Sequence, residues 1–100
     1  MAYICLCTDR PGAAEERARA TPQHLEDIES IIEHILVAGP LIDEGSGEYN
    51  ASCFVYAAEN EQQALELLRN DPYFRAGIYA EVQCRRFRPA AGTWIGGKTW

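Results

Sequence analysis

The strand-like runs of this chain carry apolar residues on both of their faces, and that constrains the fold more than any other feature. In residues 3–7, Tyr3, Cys5 and Cys7 alternate with Ile4 and Leu6; in residues 51–57, Phe54 and Tyr56 alternate with Cys53 and Val55. Successive strand side chains point to opposite faces, so a sheet built from these runs must be covered on both sides. One hundred residues make a single domain that buries about two-thirds of the surface of its unfolded chain. Its few helices are enough for one face of such a sheet.

Local signals place four strands and two helices. The first strand, residues 3–7, ends at the turn residues Asp9, Pro11 and Gly12. Residues 13–20 have helical propensity without an apolar face, and are expected to be a mobile or single-turn segment suited to a lid. Thr21 reads as an N-cap and Pro22 as the first helical residue, opening a helix that runs to about Leu36 before Gly39-Pro40. A short strand over 37–43, a flexible loop over 44–50 and a third strand over 51–57 follow. Asn60 and Gln63 form a capping box for a second helix with Ala64, Leu65, Leu67 and Leu68 as its buried face, and Asp71-Pro72 stops it. The fourth strand, 80–87, puts Val82 and Cys84 on one face and Arg85 and Phe87 on the other.

The order βαββαβ predicts an α+β fold, a ferredoxin-like sandwich with one antiparallel sheet and two helices on one face. The core is expected over 1–88, with a tail over 89–100 that carries Trp94 and Trp100 and adds an edge strand or reaches a partner subunit. Covering the bare sheet face calls for a homodimer through that face, closing a barrel-like interior of the dimeric α/β barrel type.

A net charge of −6 and a pI near 4.8 argue against nucleic acid as a partner. Arg85, Arg86 and Arg88 cluster; such a group can hold an anion, but a solvated strand edge is the favoured reading, since charged side chains commonly blunt sheet edges. No run approaches the roughly 20 apolar residues that span a bilayer, and the chain opens on its first strand without leader features, which predicts no membrane association and a cytoplasmic location. Cys5, Cys7, Cys53 and Cys84 all fall in strands without paired C-x-x-C spacing, so free buried thiols and no metal are expected. Cys5 and Cys7 share a face, which leaves a metal or redox reading open.

His24 is the best candidate for chemistry. At the third position of the helix it sits beside unpaired first-turn amides, where the dipole disfavours imidazolium. It also begins an apolar stripe with Ile28, Ile31 and Ile35, flanked by Leu25, Ile32 and Leu36. A capping or core-edge histidine bonded to backbone is the competing reading. His34 lies ten residues further on and off the same helix face, so the two histidines do not pair on a metal. No Ser-His-Asp order, phosphate-cradling glycine loop, HExxH or paired zinc motif occurs.

The chain resembles the YciI-like, or YCII-related, family of small dimeric ferredoxin-like proteins over nearly all its length up to about residue 88. The resemblance rests on the first strand ending in Asp9, Glu16-Arg17, Pro22-x-His24-Leu25, Ala38-Gly39-Pro40, and Asp71-Pro72-Tyr73 followed by Ala76-Gly77-Ile78-Tyr79 and Val82. Where many members carry arginine before Pro-x-His-Leu, this chain has Thr21 and lacks that anion contact. The resemblance implies a histidine–aspartate pair in a small pocket, which on these positions means His24 with Asp71. A carboxylate at a helix C-terminus is disfavoured by the dipole, which fits a special role for Asp71, although Asp-Pro is also an ordinary helix stop. Asp27, three residues after His24, is a rival partner, and the resemblance favours Asp71.

Asp9, Arg10, Arg17, Ser52 and Tyr73 are candidates for substrate binding: Arg17 to neutralise an anion from the lid, Asp9 and Arg10 where strand one leaves the sheet, Ser52, Tyr73 and also Tyr79 as hydrogen-bond donors. The expected function is proton transfer by His24 on a small oxygenated cyclic or unsaturated molecule, an isomerisation or elimination without cofactor. A non-catalytic small-molecule-binding or structural dimeric module is the alternative.

Overall fold

The computed structural model of the chain describes residues 1–99, so Trp100 lies outside the described residues. A four-stranded antiparallel sheet runs in the order β2-β3-β1-β4, built from β1 (Ala2–Asp9), β2 (Ile35–Ile42), β3 (Tyr49–Ala57) and β4 (Tyr79–Phe87). Helices α1 (Ala14–Ser30), α2 (Glu61–Arg69) and the short α3 (Pro72–Arg75) complete the main body. This is the ferredoxin-like α+β sandwich, with one more helical turn than the sequence suggested.

Register decides which face meets the helices. Tyr3 pairs with Tyr56, Cys5 with Phe54 and Cys7 with Ser52, while Cys84 and Val82 face Cys5 and Cys7 from β4. These side chains share a face and pack with Ala64 and Leu68 of α2, and with Ile28, Ile31 and Ile35, into the main core. Ile4, Leu6, Val37, Leu41, Cys53 and Val55 belong to the opposite face, where Leu6 and Leu41 each stay 41% exposed. The tail does not extend this sheet. It forms its own ribbon of β5 (Ala91–Gly92) and β6 (Gly97–Lys98), and Trp94 and Ile95 meet Leu36, Val37, Val55 and Phe87 around a groove on the helix-free side.

The expected start of α1 needs correction. Residues 13–20 are no mobile segment: the helix begins at Ala14, after a buried Ala13, and passes through Thr21 and Pro22 without a break. Glu15 and Glu16 in its first turn complement the dipole. Thr21 is therefore no N-cap; its hydroxyl donates to the Arg17 carbonyl at 2.9 Å. Pro22 has no N–H to give the carbonyl four residues back. His24 consequently lies deep in the helix, away from the first-turn amides and the positive dipole end. The helix also stops earlier than expected, at Ser30, and Ile35 and Leu36 belong to β2 after one 3₁₀ turn.

The second helix is capped as its sequence proposes. Asn60 accepts from the Gln63 N–H at 2.8 Å, and the Gln63 side chain accepts in return from the Glu59 N–H at 2.7 Å. Ala64 and Leu68 are fully buried, with Leu65 and Leu67 at the margin.

Candidate functional site

Asp71 sits where one helix ends and another begins. Asn70 closes α2, and Asp71, in extended conformation, caps α3 by accepting the Tyr73 N–H at 2.8 Å, with Pro72 at the first helical position. A residue expected to stop one helix thus starts the next. That second role turns the carboxylate inward, where it is 1% exposed and meets His24 Nδ1 at 2.8 and 2.9 Å.

An ionised carboxylate only accepts, so the hydrogen of neutral His24 is on Nδ1 and Nε2 keeps its lone pair. Among the described residues Nε2 has no hydrogen-bond partner. The imidazole is stacked on Tyr73, centroids 3.9 Å apart at 16°, and meets Phe54 edge-on at 6.2 Å. Three contacts therefore fix the ring, and Nε2 is the nitrogen left without a hydrogen bond.

Arg17 is two helical turns before His24, and its guanidinium lies 4.6 Å from the centroid of the same Tyr73 ring. It is buried, donates to both Asp9 oxygens at 2.8 and 3.0 Å and to Ser52 Oγ at 2.7 Å, and its Nε has no partner among the described residues. The Tyr73 hydroxyl shares a 2.7 Å hydrogen bond with Thr21. The Tyr79 hydroxyl donates to Ser52 at 2.9 Å, and burial pushes its ionisation well above the usual tyrosine range.

These groups border a cavity of about 360 Å³, lined by Arg17, Thr21, His24, Tyr49, Ser52, Phe54 and Tyr73, with Leu25, Ile28 and residues 38–40 completing an apolar wall. The volume suits a small molecule with one ring. A second hollow, between α1 and the β2–β3 turn, shares Arg17, Thr21 and Tyr49 with it.

The structure gathers His24, Asp71, Arg17, Ser52 and Tyr73 in one place and separates out Arg10. Arg10 donates to the Gly77 carbonyl at 2.7 Å and pairs with Glu16, outside the cavity wall. Asp9 is spent on Arg17, so it holds a wall residue and does not itself line the cavity. Arg17 is part of a rigid helix and no lid cation. Asp27, the rival partner, makes no bond to His24; its Oδ2 is buried without a partner, and burial, with the Asp71 charge adding, holds its carboxyl above the usual range. Phe54 and Tyr49 went unremarked as site residues in the sequence, although Phe54 shares a strand face with Ser52. Among the described residues no cluster of His, Cys, Asp or Glu is suited to a metal ion, and no helix is long and apolar enough to cross a membrane.

Residues 1–88 match the model of the YCII-related domain. The chain belongs to this family. An uncharacterized protein of Haemophilus influenzae is 32% identical over 95 residues, covering 88% of this chain and 97% of that one. Among solved structures, 5-chloro-2-hydroxyhydroquinone dehydrochlorinase (TftG) from Burkholderia phenoliruptrix, in complex with 2,5-dihydroxybenzoquinone, superposes with a TM-score of 0.83 at 27% identity, covering 93% of this chain and 97% of that chain. The protein Atu4242 from Agrobacterium tumefaciens, at 16% identity and a TM-score of 0.51 over 90% of this chain and 94% of its own, shares the fold.

Proposed function

We propose that this YCII-related protein is a small enzyme that moves a proton on a hydroxylated or quinoid ring, with His24 as general base and acid and Asp71 as its partner. The observation that carries this reading is the 2.8 Å contact between His24 Nδ1 and a buried Asp71, on a ring that borders the cavity. Nε2 takes a proton from a ring hydroxyl, or from a ring carbon next to a carbonyl. The imidazolium formed is stabilised by the Asp71 carboxylate. In an isomerisation Nε2 returns the proton to another ring atom. In an elimination the electron pair released into the ring expels the leaving group as an anion, and the imidazolium gives its proton to solvent. The likeness to TftG, whose name describes a dehydrochlorination and whose structure holds a dihydroxybenzoquinone, supports this ligand class.

The test is solvent-deuterium exchange into 2,5-dihydroxybenzoquinone followed by NMR, beside chloride release from a chlorinated hydroxyhydroquinone. The expected result is catalysis of at least one, abolished by His24→Ala. Catalysis that survives in His24→Ala overturns the role of the histidine. Binding of the probe without either reaction identifies a small-molecule-binding module instead.

The reading includes a homodimer through the helix-free sheet face. Its support is the apolar set Leu6, Leu41 and Phe87, each 41% exposed, continuous with Trp94 at 84%. Light scattering at micromolar concentration is expected to give twice the chain mass, and a monomer there overturns it.

A further inference from the structure

Two of the cysteines meet across the sheet. Cys5 of β1 stands directly opposite Cys84 of β4, and its S–H donates to the Cys84 sulfur with the two Sγ atoms 2.8 Å apart. Cys7 and Cys53 have no such counterpart: Cys7 is opposed by Ser52 and Val82, and Cys53 by Leu6 and Gly39. Directly opposed residues of an antiparallel pair have Cα atoms roughly 4.5–5.5 Å apart, inside the roughly 4.4–6.8 Å that a disulfide bridges. The backbone therefore already holds Cys5 and Cys84 where a bond can close.

Burial makes the two sulfurs unequal. Cys5 is fully buried on an inner strand, whereas Cys84 is half-buried on the edge strand β4. Burial, and after it the hydrogen bond to Cys84, raises the Cys5 thiol well above the usual range. Cys5 thus keeps its proton, and Cys84 is the sulfur that a dissolved oxidant reaches. We propose that Cys84 and Cys5 form a reversible disulfide with a hydroperoxide as oxidant, Cys84 being the attacking sulfur and Cys5 the resolving one. In the first step the Cys84 sulfur attacks a peroxide oxygen; the S–O bond forms, the O–O bond breaks, and the departing oxygen takes up the Cys84 proton. In the second the Cys5 sulfur attacks the sulfur of the Cys84 sulfenic acid. The S–S bond forms, the S–O bond breaks, and the hydroxyl leaves as water with the Cys5 proton. Two thiols are oxidised to one disulfide, and hydrogen peroxide is reduced to two waters. A protonated thiol is a poor nucleophile, but the fixed contact makes the second step intramolecular, and proximity offsets that weakness. Cys84, Cys5 and Phe54 form one row across three strands, so the bond closes one strand away from the ring that meets His24 edge-on.

The experiment exposes the folded protein to hydrogen peroxide and reads intact mass, free thiols and a non-reducing peptide map. The expected result is loss of two hydrogen atoms and of two of the four thiols, with the Cys5 and Cys84 peptides joined within one chain, and full recovery in dithiothreitol. Cys53→Ala, which removes the half-buried thiol of the opposite face, is expected to react as wild type does. In Cys5→Ala the sulfenic acid has no resolving thiol, and Cys84 is expected to go on to the sulfinic or sulfonic acid, which dithiothreitol does not reverse. If this core variant does not fold, Cys84→Ala, at the sheet edge, is expected to form no bond within the chain under the same treatment. Sulfinic acid at Cys84 of the wild type overturns the resolving role of Cys5. A bond through Cys7 or Cys53, a bond between chains, or a Cys5–Cys84 bond that forms only in urea overturns the pairing, and so does a folded wild type that does not react.

Discussion

Tyr73 and Asp71 are tied to each other and to the same histidine. The Asp71 carboxylate accepts the Tyr73 N–H at 2.8 Å and bonds His24 Nδ1, while the Tyr73 ring stacks on the imidazole at 3.9 Å. One carboxylate therefore caps α3 and orients the imidazole, and the cap in turn fixes the ring that packs against it.

That coupling separates two substitutions at Asp71. Asp71→Asn keeps an oxygen for the Tyr73 N–H and is expected to fold, with proton-transfer activity lowered by roughly a thousandfold, because a neutral amide stabilises no charged imidazole. Asp71→Ala removes cap and partner together and is expected to cost about 2–3 kcal/mol of stability as well. Urea unfolding beside the exchange assay measures both; wild-type activity in Asp71→Asn contradicts the pairing.

Arg17 is held by Asp9, Ser52 and the face of Tyr73 in a buried setting. Arg17→Met leaves Asp9 buried and unpaired, and a loss of about 3 kcal/mol is expected. Arg17→Lys is expected to recover less than half of it, since an ammonium cannot reproduce the planar fork that meets Asp9 through Nη1 and Ser52 through Nη2. Equal midpoints of denaturation for the lysine variant and the wild type would remove that forked geometry from the account.

Much of this was legible in the sequence, and the misreadings have definite causes. Two-faced apolar strands and the Asn60–Gln63 cap are local signals, and the structure keeps them. Thr21-Pro22 was ambiguous locally, since threonine before proline looks alike at a helix start and inside a helix. What decides it is the burial of Ala13 and Arg17 against Tyr73, Ile78 and Asp9, contacts across long stretches of chain. The apparent lack of an apolar face in residues 13–20 misled for the same reason: an arginine is the residue that goes inside. Asp71 was legible as a boundary but its inward turn was not, because it depends on α3, a four-residue helix too short to leave a periodic signal. The His24–Asp71 pairing itself came from the family resemblance, which residue spacing alone could not replace.

Asp27 has a buried oxygen without a partner and a carboxyl raised by burial, with Asp71 adding and His24 and Arg75 opposing. A carboxyl raised on folding binds its proton more tightly in the folded state, so its ionisation costs stability above the folded value, and that cost disappears as pH falls below the unfolded value of about 4. Asp27→Asn is therefore expected to stabilise the protein by about 1 kcal/mol at pH 7, with the gain gone near pH 3. A gain that persists undiminished at pH 3 would assign the effect to packing.

The thiols give the opposite end of the pH scale. Burial, with the Asp71 charge next in size, pushes the Cys7 thiol up to about 12, and burial together with the hydrogen bond to Cys84 raises Cys5 as well. In the unfolded chain a thiol ionises near 8.5. Between about 8.5 and 12 the unfolded chain thus loses protons that the folded chain keeps, and stability is expected to fall as pH rises through that window, with the thiol contribution intact below it. The same protonation makes Cys5 and Cys7 poor nucleophiles. At pH 8 an aromatic disulfide reagent is expected to spare both in the native protein, to reach the half-buried Cys53 and Cys84 slowly, and to label all four once urea unfolds the chain. Mass spectrometry of the labelled peptides reads the result. Rapid native labelling of Cys7 would contradict its burial, and stoichiometric zinc or iron in elemental analysis would contradict free thiols altogether.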